Sequence, residues 1–372
     1  MRYKRFLFVA PIPNVSNRTR AIKIGRILTG NGFELSFWGW QRERSDQIEE
    51  DLLLNDKRLI FKTAYISIKF QRYLYPFWVL VVFIRLLSVS KETVVWSLGL
   101  ESALPAVLAS KIKKFKIVFD DADRLVLLKK YNFLLKKLII YIEKYVSKNV
   151  SRHIVPSLRR YDYSSPSHFE LKNTPNLPDF KKAKSSSKFN WLTSNTETKL
   201  VVYVNGWLKD LRGFNVLNQV AETLKEESIC WVVAGRSCSE LASEFISRKE
   251  VVYLEELSNI DSLSVYKYVD FVLTYYDPVI PINRYAESNK WGDAIFFGVP
   301  IIYNSEVITA DFIKSKRLGI GFEYHDQLSL VNFLSEVANN QILKNNYNKL
   351  DVASLPSFQE SVLEIANGFN NA

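Results

Sequence analysis

Cysteine is scarce in this chain of 372 residues: there are two, Cys230 and Cys238, so no disulfide framework holds it together. Cys230 lies in an apolar run and reads as a small packed hydrophobe, and a reducing cytoplasm is the natural setting. No apolar run is long enough to cross a bilayer. The most hydrophobic window, Tyr73 to Leu87, has twelve residues between Arg72 and Arg85, whereas a spanning helix needs about 20. No secretory leader is expected either: Met1 to Arg5 is basic, but the apolar stretch Phe6 to Ala10 is too short for one. A G-x-G-x-x-G fingerprint is also missing. The loop after the first apolar run carries Pro11, Pro13, Asn14, Asn17, Arg18 and Arg20 instead, which argues against a dinucleotide site and a nicotinamide-dependent oxidoreductase.

What is present points to a large α/β protein. Hydrophobic residues make up 47% and aromatics 14%, which excludes disorder, and the length suits two domains with substantial cores. The net charge of +11 is unevenly placed. Residues 1–190 hold 35 Lys and Arg against 16 Asp and Glu, a net +19, so the remainder carries −8. A basic first half could serve nucleic acid, an anionic membrane or an acidic acceptor. No helix-turn-helix, zinc-ligand set or RNA-binding aromatic motif accompanies the charge, so nucleic acid is the weaker reading.

Along the chain, buried-type strands alternate with helices. Arg5 to Ala10, Phe33 to Trp40, Thr93 to Leu98 and Ile117 to Phe119 are expected strands, with helices over Ala21 to Asn31, Tyr73 to Ser88, Ala103 to Lys111 and Leu125 to Val150. The helix at Tyr73 is apolar nearly all round, which suggests a core element first and a bilayer-facing one second. Leu125 to Val150 is basic and amphipathic. Residues 165–188, rich in Pro, Ser, Asn and Lys, read as a linker. The expected domains are therefore 1–190 and 191–355, with a terminal helix in 356–372.

Three stretches carry candidate chemistry. Asp120, Asp121 and Asp123 follow a strand, at the carboxyl end where ligands collect in open α/β sheets. Clustered carboxylates raise one another's pKa, which suits a proton acceptor, and Asp121 is the candidate base; helix capping is the structural alternative. The strand Lys199 to Val204 runs into Asn205-Gly-Trp-Leu-Lys-Asp-Leu-Arg-Gly213 and then a helix. Gly206 and Gly213 allow close approach there, and Lys209 and Arg212 supply cations, an arrangement that cradles phosphate. Roughly 80 residues on, Glu287-Ser-Asn-Lys-Trp-Gly-Asp293 offers Asn289, Lys290 and a helix N-terminus to a second phosphate contact, with Asp293 one turn further for sugar hydroxyls.

These last two stretches resemble the donor site of nucleotide-sugar glycosyltransferases of the GT-B fold, the bacterial group 1 (family-4-like) type. Gly206, Leu208, Arg212 and Gly213 take the places of the family's diphosphate loop, and Asn289, Lys290, Asp293, Gly298 and Pro300 those of its second motif. Trp207 stands where the family often has Arg, Tyr285 where it has the first of two spaced Glu, and Glu287 is near but off that register. The resemblance implies two doubly wound Rossmann-like domains facing an interdomain cleft, with the terminal helix packing back on the first. It implies transfer of a sugar from a nucleoside-diphosphate donor, UDP-linked by preference, to a glycan or lipid-linked acceptor in surface-glycan synthesis, with no cofactor and no bound metal. Lys209, Arg212, Asn289 and Lys290 would hold the diphosphate, and Asp293, Glu287 and Arg236 the ribose or sugar. Arg18 and Arg20 would face the acceptor. The expected location is the cytoplasm, including its membrane face. The rival readings are a non-catalytic partner that keeps the fold and a nucleic-acid-binding α/β protein.

Overall fold

The computed structural model describes residues 3–15, 18–46, 54–196, 199–341, 343–344 and 357–370. Two compact units divide the chain: Met1–Leu171 with Gln359–Ala372, and Lys172–Phe358. In the first, β1 (Arg5–Val9), α1 (Thr19–Gly30), β2 (Glu34–Gln41) and β3 (Asp56–Lys62) lead to the short α2 (Ile68–Gln71) and to α3 (Tyr75–Leu86). Then come β4 (Thr93–Leu98), α4 (Leu100–Lys113), β5 (Lys116–Asp120), α5 (Leu125–Leu128), α6 (Phe133–Asn149), β6 (Arg152–Val155) and β7 (His168–Glu170). Among the described residues the sheet runs β3-β2-β1-β4-β5-β6-β7, and every pairing is parallel. Its central strands are buried on both faces, as in β4 (TVVWSL), because helices cover each side of a parallel sheet.

The second unit opens with α7 (Leu177–Ser185) and α8 (Trp191–Thr196), followed by β8 (Leu200–Asn205), α9 (Phe214–Thr223), β9 (Ile229–Ala234), α10 (Glu240–Ile246) and β10 (Val251–Tyr253). It continues through α11 (Asn259–Val265), β11 (Phe271–Thr274), α12 (Asn289–Phe297), β12 (Ile301–Asn304), α13 (Asp311–Ser315), β13 (Gly319–Phe322) and α14 (Gln327–Asn339). Its sheet order is β10-β9-β8-β11-β12-β13, again parallel throughout. In each sheet the strand order reverses once, between β1 and β4 and between β8 and β11. Such a switch point leaves a crevice at the strands' carboxyl ends.

The boundary between units falls before the compositional linker ends. The stretch 172–190 holds α7, whose Pro178 sits in the first turn, where its missing N–H costs nothing. This helix is fixed to the second unit. Asn259 Nδ2 donates to Asp179 Oδ2 (3.3 Å), and the Phe180 ring meets Phe297 edge-on at 4.9 Å. The last helix, α15 (Phe358–Gly368), belongs from Gln359 onward to the first unit. Just past its end the Tyr3 N–H donates to Asn370 Oδ1 (2.6 Å), and the Tyr3 and Phe369 rings lie 6.2 Å apart.

The all-apolar helix α3 is half core and half surface. Trp78, Val82 and Leu86 are fully buried, and Trp78 stacks on Trp40 with ring centres 5.9 Å apart. Phe77, Leu80 and Ile84 on the opposite side are more than half exposed. Apolarity alone could not distinguish the two faces. Replacing Trp78 by Ala should cost about 3–5 kcal/mol through the cavity it leaves, whereas Leu80→Ala should stay within about 0.5 kcal/mol. Chemical denaturation of the two variants checks this, and equal losses would mean that α3 is turned otherwise.

Candidate functional site

In the second unit the two glycine-bordered corners follow β8 and β11, the paired strands at the switch point. Gly206 leaves β8 at φ +107°, and a Cβ there would lie 3.2 Å from Lys290 Nζ. The lysine of the second motif therefore lies directly over the glycine of the first. Gly235, after β9, has φ +134°, and a Cβ on it would come within 1.9 Å of the Gly206 carbonyl oxygen. Only glycine permits that backbone approach. Leu208 N–H donates to Arg236 O (3.1 Å) and Cys238 N–H to Leu208 O (2.9 Å), so the loops after β8 and β9 are stitched side by side.

Tyr276, at the end of β11, joins the cations. Its ring lies 4.7 Å from the Arg212 guanidinium carbon, and its hydroxyl hydrogen-bonds Ser288 Oγ at 2.8 Å. Ser288 caps α12 by accepting from Lys290 N–H. Burial by itself would raise the Tyr276 hydroxyl, but the charges of Lys290 and Arg212 beside it hold it below the usual tyrosine range. Arg212 and Lys290 thus both lie beside Tyr276, which draws the two motifs' cations to one residue. Lys209 lies outside this pair, 5.1 Å from the Trp207 ring centre, and Asn289 and Arg236 are exposed beside the loops.

Asp293, one turn into α12, is partly buried. Its charge reaches the Tyr203 and Tyr266 hydroxyls, which are raised by burial first and by this carboxylate in addition. Asn205 at the end of β8 donates to Ser262 Oγ beside them (3.2 Å). Glu287, expected at the ribose or sugar, is instead committed to an ion pair: Lys172 Nζ lies 3.0 Å from its Oε1, with little of either side chain exposed. The segment at 172–174 is pressed against α12 so closely that a Cβ on Gly292 would lie 2.2 Å from Asn173 O. That packing brings Lys172 to Glu287.

The first unit has its own hollow at the switch point, lined by Pro11, Arg18, Arg20, Glu101, Asp120 and Asp123 with Leu98, Leu125 and Leu128. Arg20 Nε donates to Asp120 Oδ1 (3.1 Å), and Arg18 pairs with Asp123 at the surface (3.1 Å). Asp120 is buried, and burial raises its carboxyl despite Arg20 and the Trp96 N–H. Glu101 opens α4 and folds its carboxylate back over Gly99. Burial, with the charge of Asp121 adding to it, raises Glu101 as well. Composition gave no reason to choose Glu101. Its one mark in the sequence is its place two residues after a glycine that ends a buried strand.

Asp121, the expected base, does not line this hollow. Only 2% exposed, it accepts from the Tyr161 hydroxyl (2.6 Å) and sits 3.8 Å from His153 Nε2. Adjacent residues on an extended chain point to opposite sides, so Asp120 at the end of β5 reaches the hollow while Asp121 turns into the packing around β6; the chain then bends at Ala122 and Asp123, and Asp123 lines the hollow again. His153 stacks on Phe119 (4.2 Å), and the His168 ring lies 4.8 Å from it.

Solved structures share this architecture over nearly the full chain. HepE from Anabaena, in complex with UDP and glucose, is 10% identical and has a TM-score of 0.70, covering 99% of this chain and 100% of its own. Sucrose-phosphate synthase from Thermosynechococcus elongatus is 14% identical with a TM-score of 0.69, covering 99% and 98%. A UDP-N-acetylglucosamine 2-epimerase is 10% identical with a TM-score of 0.62, covering 100% and 98%. No family model matches the sequence, and no curated protein does. The likeness defines the fold: this chain has the two-domain Rossmann-like GT-B architecture.

The His168 cluster generates a pH prediction. Burial, with the charges of His153 and Arg124 adding to it, pushes His168 down to about 4 in the fold, whereas an unfolded histidine protonates near 6.5. Between those values the unfolded chain binds more protons, so stability is full above pH ~6.5 and falls as the pH drops toward ~4. Unfolding midpoints measured across that window should fall less steeply in His168→Gln than in the wild type.

Proposed function

We propose that this protein is a glycosyltransferase that moves a sugar from a nucleoside-diphosphate sugar, UDP-linked by preference, to a glycan or lipid-linked acceptor in bacterial surface-glycan synthesis. It would work in the cytoplasm at the inner face of the membrane and without a cofactor. The observation that carries this reading is the meeting of the two motifs' cations: Lys290 lies over Gly206 and beside Tyr276, and Arg212 lies on the Tyr276 ring, after the carboxyl ends of adjoining strands. A pyrophosphate needs two cations and an approachable backbone, and this corner offers both. HepE, with UDP and glucose bound, has the same fold.

In this reading the bond from the sugar's anomeric carbon to the β-phosphate oxygen breaks, and its electron pair leaves with the diphosphate. Lys290 and Arg212, with Lys209 and Asn289 at the rim, stabilise that growing charge. Asp293 accepts hydrogen bonds from ribose or sugar hydroxyls, with Arg236 alongside. The acceptor oxygen forms the new bond to the anomeric carbon and gives up its proton. Glu101 suits that proton better than Asp121, because its raised carboxyl lines the first unit's hollow while Asp121 is occupied by Tyr161. Arg18 and Arg20 orient the acceptor from the same hollow.

A non-catalytic protein of this fold is the second reading, favoured by Tyr285 in a family Glu position and by the commitment of Glu287 to Lys172. An epimerase would change the donor sugar without transferring it to an acceptor, so sugar products must be identified. At 100 times its dissociation constant a UDP-sugar should stabilise the chain by about 2.7 kcal/mol, and Lys290→Ala or Arg212→Ala should lower kcat/KM about a hundredfold. Thermal shifts and UDP-release assays read both effects. Unaltered donor affinity and turnover in the two variants would remove the diphosphate assignment, and an absence of both hydrolysis and transfer in the wild type would favour the non-catalytic reading. Glu101→Gln should lose transfer while keeping the UDP-induced shift.

A further inference from the structure

On one face of the first unit's sheet, α3, α4 and α6 form a single helical layer. Their inner sides share one core that includes Trp78, Val107, Ile139 and Val146, and α4 packs against both neighbours. The outer side of this layer is unusual for a surface. On α3, Phe77, Leu80 and Ile84 follow one another at helical spacing and are 57%, 53% and 55% exposed. On α6, Leu134, Leu138 and Tyr141 repeat the pattern, with Leu134 at 77% and Tyr141 at 71%, and Phe133 stands exposed beside them. Ile112 near the end of α4 is 62% exposed between the two. A soluble surface rarely leaves so many large apolar side chains bare on neighbouring helices.

The charges among them have one sign. Arg85 on α3, Lys111 and Lys113 on α4, and Lys136, Lys137 and Lys148 on α6 are all exposed. Lys129 and Lys130 precede α6. The acids on these three helices are withdrawn: Glu101 lines the hollow, and Glu143 is buried against Arg124, Nη2 to Oε1 2.8 Å. Lys137 Nζ lies 4.2 Å from the Phe133 ring centre, a long basic side chain folded along an apolar one.

We propose that this layer is a docking face for an anionic lipid bilayer, with the α3 and α6 stripes entering the interfacial region and the surrounding lysines meeting lipid phosphates. Three features choose the bilayer over other occupants. Apolar rows rimmed by lysine match an acyl boundary below a negative headgroup layer. A second copy packed about a twofold axis would press this same face against itself, lysine against lysine. Nucleic acid would leave the aliphatic rows uncovered. Among the described residues no helix is long and apolar enough to cross a membrane. The inference deepens the proposed function and rests on it in one respect: Leu128 both lines the first unit's hollow and stands 44% exposed just before Lys129. The hollow thus borders the docking face, as a lipid-linked acceptor requires.

The test is co-sedimentation of the full chain with vesicles of phosphatidylcholine alone or mixed with phosphatidylglycerol, without donor or acceptor. Binding should need the anionic lipid. It should weaken about fivefold for each lysine removed, as in Lys136→Ala and Lys137→Ala. The double change Phe77→Ser with Leu80→Ser, and separately Phe133→Ser with Leu134→Ser, should lower binding at least tenfold while leaving the UDP thermal shift intact. No association with anionic vesicles, or association that none of these substitutions changes, overturns the proposal. So does a dimer in light scattering that the same substitutions dissociate, since the face would then be an interface between copies. Vesicle binding is read without nucleotide, so its failure leaves the donor-site reading standing, and failure of the donor assays leaves the docking face standing.

Discussion

The contact on which the arrangement of the second unit's glycine corners depends is Lys290 lying over a residue with no side chain. Gly206 ends β8 at a positive φ, and Gly235 brings the neighbouring loop to within a backbone's width of it. A Cβ at either place would push the loops apart or displace the lysine. Because β8 and β11 are paired, the turn after β8 and the chain leaving β11 start side by side. Tyr276 then fixes the spacing: its ring meets Arg212, and its hydroxyl reaches the residue that caps the lysine's helix.

The two units place different sets of charges at equivalent positions. Each has a parallel sheet with one reversal of strand order, and each collects polar side chains at the carboxyl ends of the switch-point strands. In the second unit those side chains are cations around glycine. In the first they are carboxyls raised by burial, Glu101 and Asp120, with Arg20 paired to one of them. The first unit is basic in total, yet its hollow sets Glu101, Asp120 and Asp123 against Arg18 and Arg20, while many of its lysines lie out on the helical layer among exposed apolar residues. Net charge therefore described the surface of this unit and gave no account of its pocket.

Several features were legible in the chain alone. Continuous apolar runs such as Leu200 to Val204 could only be strands covered on both faces, and their alternation with helices dictated parallel sheets. The turns at 206–213 and the cations at 209, 212 and 290 were legible because glycine spacing is a local backbone property. The stretch 165–188 was harder, since Pro, Ser and Lys suggest a linker whether or not a helix such as α7 finds partners to pack against. Asp121 and Glu101 show the same limit at the level of single residues. Three nearby carboxylates announce a site, but which of them faces the hollow depends on strand direction and on the position of Tyr161.

The sequence by itself determined the alternation of strands and helices, the glycine corners, the cations beside them and the concentration of positive charge in the first half, because each follows from local composition and spacing. Only the tertiary structure decided that Lys290 lies on Gly206, that Glu287 is tied to Lys172, that Glu101 lines the hollow in place of Asp121, and that α3 is bare on one side. Those outcomes depend on which strands are neighbours and which side chains reach burial first. Both are set by contacts between residues far apart in the chain, and local spacing carries no record of them.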